Sequence, residues 1–238
     1  MKTDVYADSE IVAQKAANLI AKEAREAVQM RGKFLMAVSG GKTPWIMLRD
    51  LALEDVPWSG IHVFQVDERI APEDDPDRNL THLRESLLGH APLRPEHIYA
   101  MPVGSPNLEA ACVQYAGILE TVAGAPPVLD LVHLGLGPDG HTASLVPGDP
   151  VLGVTDVDVA LTGIYQNRRR MTLTYAAINR SRRVLWLVTG SEKAGMLVRL
   201  QAGDVSIPAG RVRSDHAVVL ADRAAAEGTD RDLRTEVA

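Results

Sequence analysis

Cysteine is almost absent: Cys112 is the single one among 238 residues, so no internal disulfide framework can form. That usage suits a reducing compartment, and Cys112, in an alanine-rich stretch with no base beside it, reads as an ordinary buried thiol. The stretch from Met1 to Asp8 has no apolar core behind a basic start and does not read as a secretory leader, so a cytoplasmic location is expected. No window approaches the ~20 consecutive apolar residues that a membrane helix needs, and no membrane partner is expected. Positive charge is also in deficit. With 25 Lys and Arg against 31 Asp and Glu, the formal charge is −6, which argues against a nucleic-acid partner. An acidic chain can still hold an anionic substrate where a few cations are gathered locally, so their positions matter more than their number.

Internal repeats and low-complexity linkers are missing too, which makes residues 1–221 one expected domain. Residues 222–238 are charged, lack apolar periodicity and read as a loose tail. Within the domain, Asp8 and Ser9 offer caps to a helix whose apolar positions run from Ile11 to Val28, with a stop near Gly32. Short apolar runs at 34–38, 61–66, 129–134, 171–174 and 184–188 read as strands, with further short strands at 98–101 and 217–220. Helical stretches fall at 79–88, 108–122 and 191–200, and Pro44 suits the first turn of another. Strands alternating with helices predict a Rossmann-like α/β fold: a doubly wound, mostly parallel sheet flanked by helices.

Three strands run into polar, glycine-rich or charged turns: Ser39-Gly40-Gly41-Lys42-Thr43, Asp67-Glu68-Arg69, and Gly135 to His141. Ligands of open parallel sheets bind outside the carboxyl ends of the strands, so the three clusters are expected to share a crevice. In the first, two glycines permit close backbone approach and the helix start presents free amides to an anion, with Ser39 and Thr43 hydroxyls and the Lys42 charge beside them. A plain strand-to-helix turn is the alternative. The spacing is neither a Walker loop nor a dinucleotide fingerprint. Arg69, at a strand's carboxyl end, is suited to stabilising developing negative charge, although such a triplet also occurs as a solvated cluster. The third stretch surrounds Asp139 and His141 with glycines, a composition that makes sense where backbone shape matters.

His62, His82, His90, His97, His133 and His216 lie in strands, helices or polar loops and read as structural or surface residues. No second histidine stands at helical ligand spacing from His141, so no metal and no cofactor are expected. Of the run Arg168-Arg169-Arg170, Arg170 is nearest the following strand and is the one expected in the crevice, with Lys193 opposite.

SGGKTP at 39–44, VDER at 66–69, Asn79, GLGPDGHTASLVPG at 135–148, RMTLT at 170–174, Ile178-Asn179 and the Gly190/Lys193 turn together resemble the 6-phosphogluconolactonase family, a branch of the group that includes glucosamine-6-phosphate deaminases. The resemblance spans most of residues 34–200. It implies a NagB/RpiA-like fold and hydrolysis of 6-phospho-D-glucono-1,5-lactone in the oxidative pentose phosphate pathway. It implies a functional link to glucose-6-phosphate dehydrogenase, and it identifies the histidine of Asp-Gly-His, here His141, as the active-site one. Three positions depart from the family pattern: Lys42 stands where Ser is usual, Val146 where Phe is common, and Arg78 where Ser precedes Asn.

The residues suit that reaction. An ordinary imidazole, with a pKa near 6.5, is mostly neutral at pH 7 and available as a base, whereas a carboxylate is far weaker. His141 is therefore the expected general base. Asp139 either orients its ring or belongs only to the turn. Arg69 is expected to hold the oxyanion or a hydroxyl, with Asp67 binding hydroxyls or fixing Arg69. The phosphate would lie against Gly40, Gly41, Lys42 and Thr43, with Arg170 and Lys193 supplying charge and with Ser39 and Asn79 also expected among the substrate-binding residues. One alternative is an amino-sugar-phosphate deaminase/isomerase; such relatives follow Asp-Gly-His with Phe-Asn-Glu-Pro, whereas here Ser144-Leu-Val-Pro147 follows, and they carry Tyr at the position of Arg69. A non-catalytic sugar-phosphate sensor is the other, and no helix-turn-helix segment precedes residue 34.

Overall fold

The signals around the first helix act through defined bonds. Asp8 Oδ1 accepts from the Glu10 and Ile11 amides (3.0 and 2.9 Å), and Gly32, at φ 75°, closes the other end by donating to Val28 O (2.8 Å). In the computed structural model, which describes residues 1–227, this helix is α1 (Ser9–Arg31). Its inner face is nearly all alanine: Ala13, Ala16, Ala17, Ala21 and Ala24 are fully buried, and such small side chains let α1 lie close to its neighbours.

The main sheet has seven strands, all parallel. Their order is β1 (Lys2–Tyr6), β10 (Ala217–Asp222), β9 (Val184–Val188), β6 (Leu131–Gly135), β2 (Phe34–Val38), β3 (Ile61–Gln65) and β5 (Ile98–Tyr99). Along β2 the residues alternate between two cores. Phe34, Met36 and Val38 share one with α1 and α2 (Lys42–Leu51), while Leu35 and Ala37 share the other with α4 (Leu108–Ala123) and α6 (Ala194–Gln201). Burial on both faces is why these strands read as unbroken apolar runs. The doubly wound α/β architecture is the one expected.

A second, three-stranded antiparallel sheet was not expected: β4 (Asp67–Arg69), β8 (Arg170–Leu173) and β7 (Val159–Leu161), in the order β4-β8-β7. Its strands are three or four residues long and partly polar, too short for a period-two pattern to register. β1 escapes for a similar reason, since KTDVY at the sheet edge has no apolar run. The helix expected at 79–88 is α3 (Asn79–Leu83) passing into a wider π-type turn over Arg84–Leu88. A short α5 (Tyr175–Asn179) was also unforeseen. The stretch read as a tail from 222 begins inside packed structure: Asp222 ends β10 and caps α7 (Arg223–Ala226), whose Ala225 and Ala226 are buried. Residues 228–238 lie outside the described residues. Among those described, no helix is long and apolar enough to cross a membrane.

Trp186 sits in β9, between β10 and β6, with 1 % of its surface exposed. Trp186→Ala is expected to lower stability by about 3–5 kcal/mol. Urea unfolding followed by circular dichroism should show the midpoint fall with the slope little changed.

Candidate active site

From β2 the chain moves outward through β3 and β5; from β6 it moves the other way through β9 and β10. The order reverses between β2 and β6, and outside their carboxyl ends a crevice of about 510 Å³ opens. Ser39, Gly40, Gly41, Lys42, Thr43, Asp67, Arg69, Asn79, His141, Arg170 and Lys193 all line it. Of the residues given a catalytic or binding role from sequence, Asp139 alone stands outside that lining, behind His141.

The second sheet brings the two arginines together. In the antiparallel register of β4 and β8, Arg69 is directly opposite Arg170 and Asp67 is opposite Thr172. Opposed residues project to the same face, and like charges in that position repel. Burial lowers the pKa of the Arg170 guanidinium, and the neighbouring Arg69 charge lowers it further. Arg69 Nη1 donates to Asp77 O (2.7 Å) and Asn79 Oδ1 (2.9 Å); Arg170 Nη2 donates to Gln166 Oε1 (3.2 Å). The Nε of each is buried without a hydrogen-bond partner among the described residues. Two such guanidiniums facing one cleft suit a bound anion, which would relieve the repulsion and take up spare donors.

Glu68, between Asp67 and Arg69, points away into the protein and is completely buried. Its carboxylate accepts from Arg69 N and Asn79 N (2.8 and 2.7 Å) and from Leu80 N and Gln65 Nε2 (both 2.8 Å), closing the start of α3. Asp67 is equally committed. Its Oδ2 accepts from Ser144 Oγ (2.6 Å), and Asn79 Nδ2 donates to its backbone oxygen (2.9 Å). The side-chain bond that fixes the Arg69 guanidinium, beside the one to the Asp77 carbonyl, therefore comes from Asn79, with Asp67 one step behind it. Ser144, three residues after His141, ties the histidine loop to the arginine sheet; its amide also donates to Thr172 Oγ1 (3.3 Å).

The imidazole of His141 lies across the backbone at Gly137, where a Cβ would fall 2.1 Å from Nδ1, so only glycine fits. Asp139 Oδ1 accepts from the His141 amide (3.1 Å) and sits 2.6 Å from Nδ1. It thus shapes the turn and orients the ring at once. Partial burial opposes the Asp139 charge, but the bonds from His141 outweigh it and hold the carboxyl below its ordinary range. With Nδ1 engaged, Nε2 is the nitrogen left for the crevice. Tyr165 OH donates to Asp139 Oδ2 (3.1 Å), a contact that sequence reading missed.

At the other end, α2 starts behind Gly41 (φ 137°) with no side-chain cap, and its first internal bond is Trp45 N to Gly41 O (3.1 Å). The Lys42 and Thr43 amides precede that bond and Pro44 has none, so those two N–H groups are available to an anion. Gly40 admits no side chain, since a Cβ would lie 2.0 Å from Asn79 Oδ1. Ser39 donates its hydroxyl to His133 O (2.9 Å) and its amide to His133 Nδ1 (3.2 Å), fastening β2 to β6, so its hydroxyl hydrogen is spent. Thr43 Oγ1 pairs with Thr189 Oγ1 (2.8 Å). Asp222 accepts from the Gly190 amide (3.1 Å) and holds the turn that carries Lys193. Thr189 and Asp222 had no sequence signal beyond their place at strand ends.

No other histidine lines the crevice. His62 and His97 stack on each other elsewhere, with centroids 3.8 Å apart. Burial pushes the Cys112 thiol up to about 11, which leaves it unreactive at neutral pH. Among the described residues, no group of three or more His, Cys, Asp or Glu is arranged to hold a metal ion.

The family model for glucosamine-6-phosphate isomerases/6-phosphogluconolactonase matches residues 7–221. A 6-phosphogluconolactonase of Mycobacterium tuberculosis is 36 % identical over 237 residues, covering 94 % of this chain and 96 % of that protein. One from Synechocystis is 36 % identical over 196 residues, 81 % of each chain. The crystal structure of a 6-phosphogluconolactonase from Thermotoga maritima superposes with a TM-score of 0.82 at 30 % identity, covering 93 % of this chain and 99 % of that one.

Two outcomes are expected of this geometry. Ser144→Ala leaves Oδ2 of the buried Asp67 carboxylate without its donor, with only the longer bond from Asn79 Nδ2 to Oδ1 (3.4 Å) remaining, and should cost about 1–3 kcal/mol in urea unfolding. Burial holds the His133 imidazole neutral, with a pKa of about 3. The unfolded chain takes up that proton near pH 6.5, so stability falls as the pH drops below that value and should lose about 2 kcal/mol between pH 7 and pH 5. Urea midpoints of wild type and His133→Gln across that range check this; the variant should lose less.

Proposed function

The chain belongs to the glucosamine-6-phosphate isomerase/6-phosphogluconolactonase family, and from that premise we propose that it hydrolyses 6-phospho-D-glucono-1,5-lactone to 6-phospho-D-gluconate, with His141 as general base. The observation that carries this reading is the pairing of the Asp139–His141 contact (2.6 Å) with the opposed Arg69 and Arg170 in one crevice.

Asp139 holds the hydrogen on Nδ1, which makes the Nε2 lone pair the base. A water attacks the lactone carbonyl carbon, gives its proton to Nε2, and leaves a tetrahedral oxyanion. Arg69 faces that charge, or a neighbouring sugar hydroxyl. Collapse breaks the bond between the carbonyl carbon and the ring oxygen; the departing oxygen takes the proton back from the imidazolium, giving a carboxylic acid that ionises and a free hydroxyl. Asp139, kept ionised, stabilises the imidazolium between the two proton transfers.

The phosphate is read against the Gly40 to Thr43 turn, where the open amides of α2, Lys42, Arg170 and Lys193 gather cationic and donor groups in a chain of net charge −6. Asn79 and Asp67 position Arg69 in this reading. A supply of lactone by glucose-6-phosphate dehydrogenase in the same cytoplasm completes it.

Lactone made in situ and followed above its spontaneous hydrolysis tests the assignment. His141→Ala should lower kcat by about 100-fold or more, the scale of a positioned base; a near-normal kcat would refute the role. Arg170→Ala and Lys193→Ala should mainly raise KM. Ammonia released from glucosamine 6-phosphate at a comparable rate would favour the deaminase branch instead.

A further inference from the structure

Tyr165 lies outside every motif used so far, yet it touches both halves of the crevice. It stands at the start of a two-residue hairpin turn between β7 and β8. Reciprocal bonds join Tyr165 N to Arg168 O (3.0 Å) and Arg168 N to Tyr165 O (3.2 Å). Gln166 and Asn167 between them have left-handed backbones, φ 49° and 64°. Both signs suit the tight turn whose twist matches the paired strands, and glutamine is an unusual residue to hold there. Its side chain has a use: Gln166 Oε1 accepts from Arg170 Nη2 (3.2 Å).

From that turn the Tyr165 hydroxyl, with one hydrogen, faces two neighbours. Asp139 Oδ2 is 3.1 Å away and His141 Nδ1 is 3.5 Å away. The charged carboxylate takes the hydrogen. Burial and the bond to Asp139 both raise the phenol pKa, so the group stays a donor at neutral pH. Asp139 then has each oxygen engaged, Oδ1 by the His141 amide and ring and Oδ2 by Tyr165, and its carboxylate plane cannot turn. The ring of Tyr165 meets the imidazole edge-on, centroids 5.4 Å apart at 63°, and the Arg170 guanidinium lies 5.1 Å from the tyrosine centroid.

We propose that Tyr165 is a positioning residue for the lactone hydrolysis proposed above: it locks the Asp139–His141 pair through its hydroxyl and steadies Arg170 through its ring. The inference rests on that reading of the function. By drawing on the Asp139 charge, the hydroxyl also weakens the hold of Asp139 on the imidazolium, so its removal favours protonated His141. The charged and titratable groups around that ring are Asp139, Tyr165 and, beyond the tyrosine, Arg170 with its partner Arg69.

The test compares wild type, Tyr165→Phe, Tyr165→Leu and His141→Ala. Tyr165→Phe keeps the ring and should lower kcat about 3–10-fold with KM within about twofold. It should also move the acid limb of the kcat/KM profile upward by about 0.3–0.5 pH unit. The His141 ring resonances of the ligand-free protein, assigned by their loss in His141→Ala, should titrate with the same upward shift. Tyr165→Leu should add a rise in KM as Arg170 loses its platform. A purely architectural tyrosine would lower stability while leaving the pH profile and the titration in place. An unmoved kcat and titration in Tyr165→Phe, with wild-type turnover still dependent on His141, overturns this proposal alone. Wild-type protein without turnover above the blank overturns the reading of the function and this proposal with it.

Discussion

Arg69 and Arg170 face each other across two strands of three and four residues. Left to themselves, two guanidiniums in that register would push the strands apart. The surroundings are organised to prevent it. Asn79 and the Asp77 carbonyl draw Arg69 to one side, while Gln166 and the face of Tyr165 receive Arg170 on the other. Beneath them Glu68 gathers four donors and welds β4 to the start of α3. The result is a concentrated positive charge in a chain that is acidic as a whole, held ready before any anion arrives.

That constraint reaches the histidine through Asp67. Its carboxylate takes the Ser144 hydroxyl, and Ser144 belongs to the segment that begins with His141. The base and the arginines are therefore set by one chain of buried bonds, and a shift in either would have to break it. The parallel sheet supplies the frame. Ser39 grips the His133 backbone and ring across the switch between β2 and β6, which keeps the glycine turn of α2 and the histidine loop at a constant separation.

Much of this was legible in the amino-acid order. Strands β2, β3 and β9 are short apolar runs because both sheet faces are covered, and α1 announces its ends with Asp8 and Gly32. The glycines near residues 40 and 137 marked the crevice because side chains there would collide with Asn79 and His141. What stayed hidden depends on contacts between distant residues. β4 and β7 have three residues each and acquire meaning only from pairing with β8. Asn79 reads as a ligand-binding amide until its bonds to Arg69 and Asp67 are seen. Tyr165 and Asp222 sit in segments whose composition resembles any loop or chain end, and nothing local marks the bonds by which they reach Asp139 and Gly190.

The run Arg168-Arg169-Arg170 illustrates what the pleat decides. Arg168 turns outward to Asp75 and Asp77, and only Arg170 stands opposite Arg69. Arg168 belongs to the turn, where it pairs with Tyr165, and alternation along the chain separates Arg169, not Arg168, from the face of Arg170. Length between Thr162 and Arg170 is constrained as well, because Tyr165 and Gln166 in the hairpin must still meet Arg170. A single residue added between Met171 and Thr172 would turn the start of the strand inside out, sending methionine toward the cleft and the guanidinium into the apolar layer. For relatives of this chain, gaps in an alignment should therefore avoid the whole stretch from Tyr165 to Thr172.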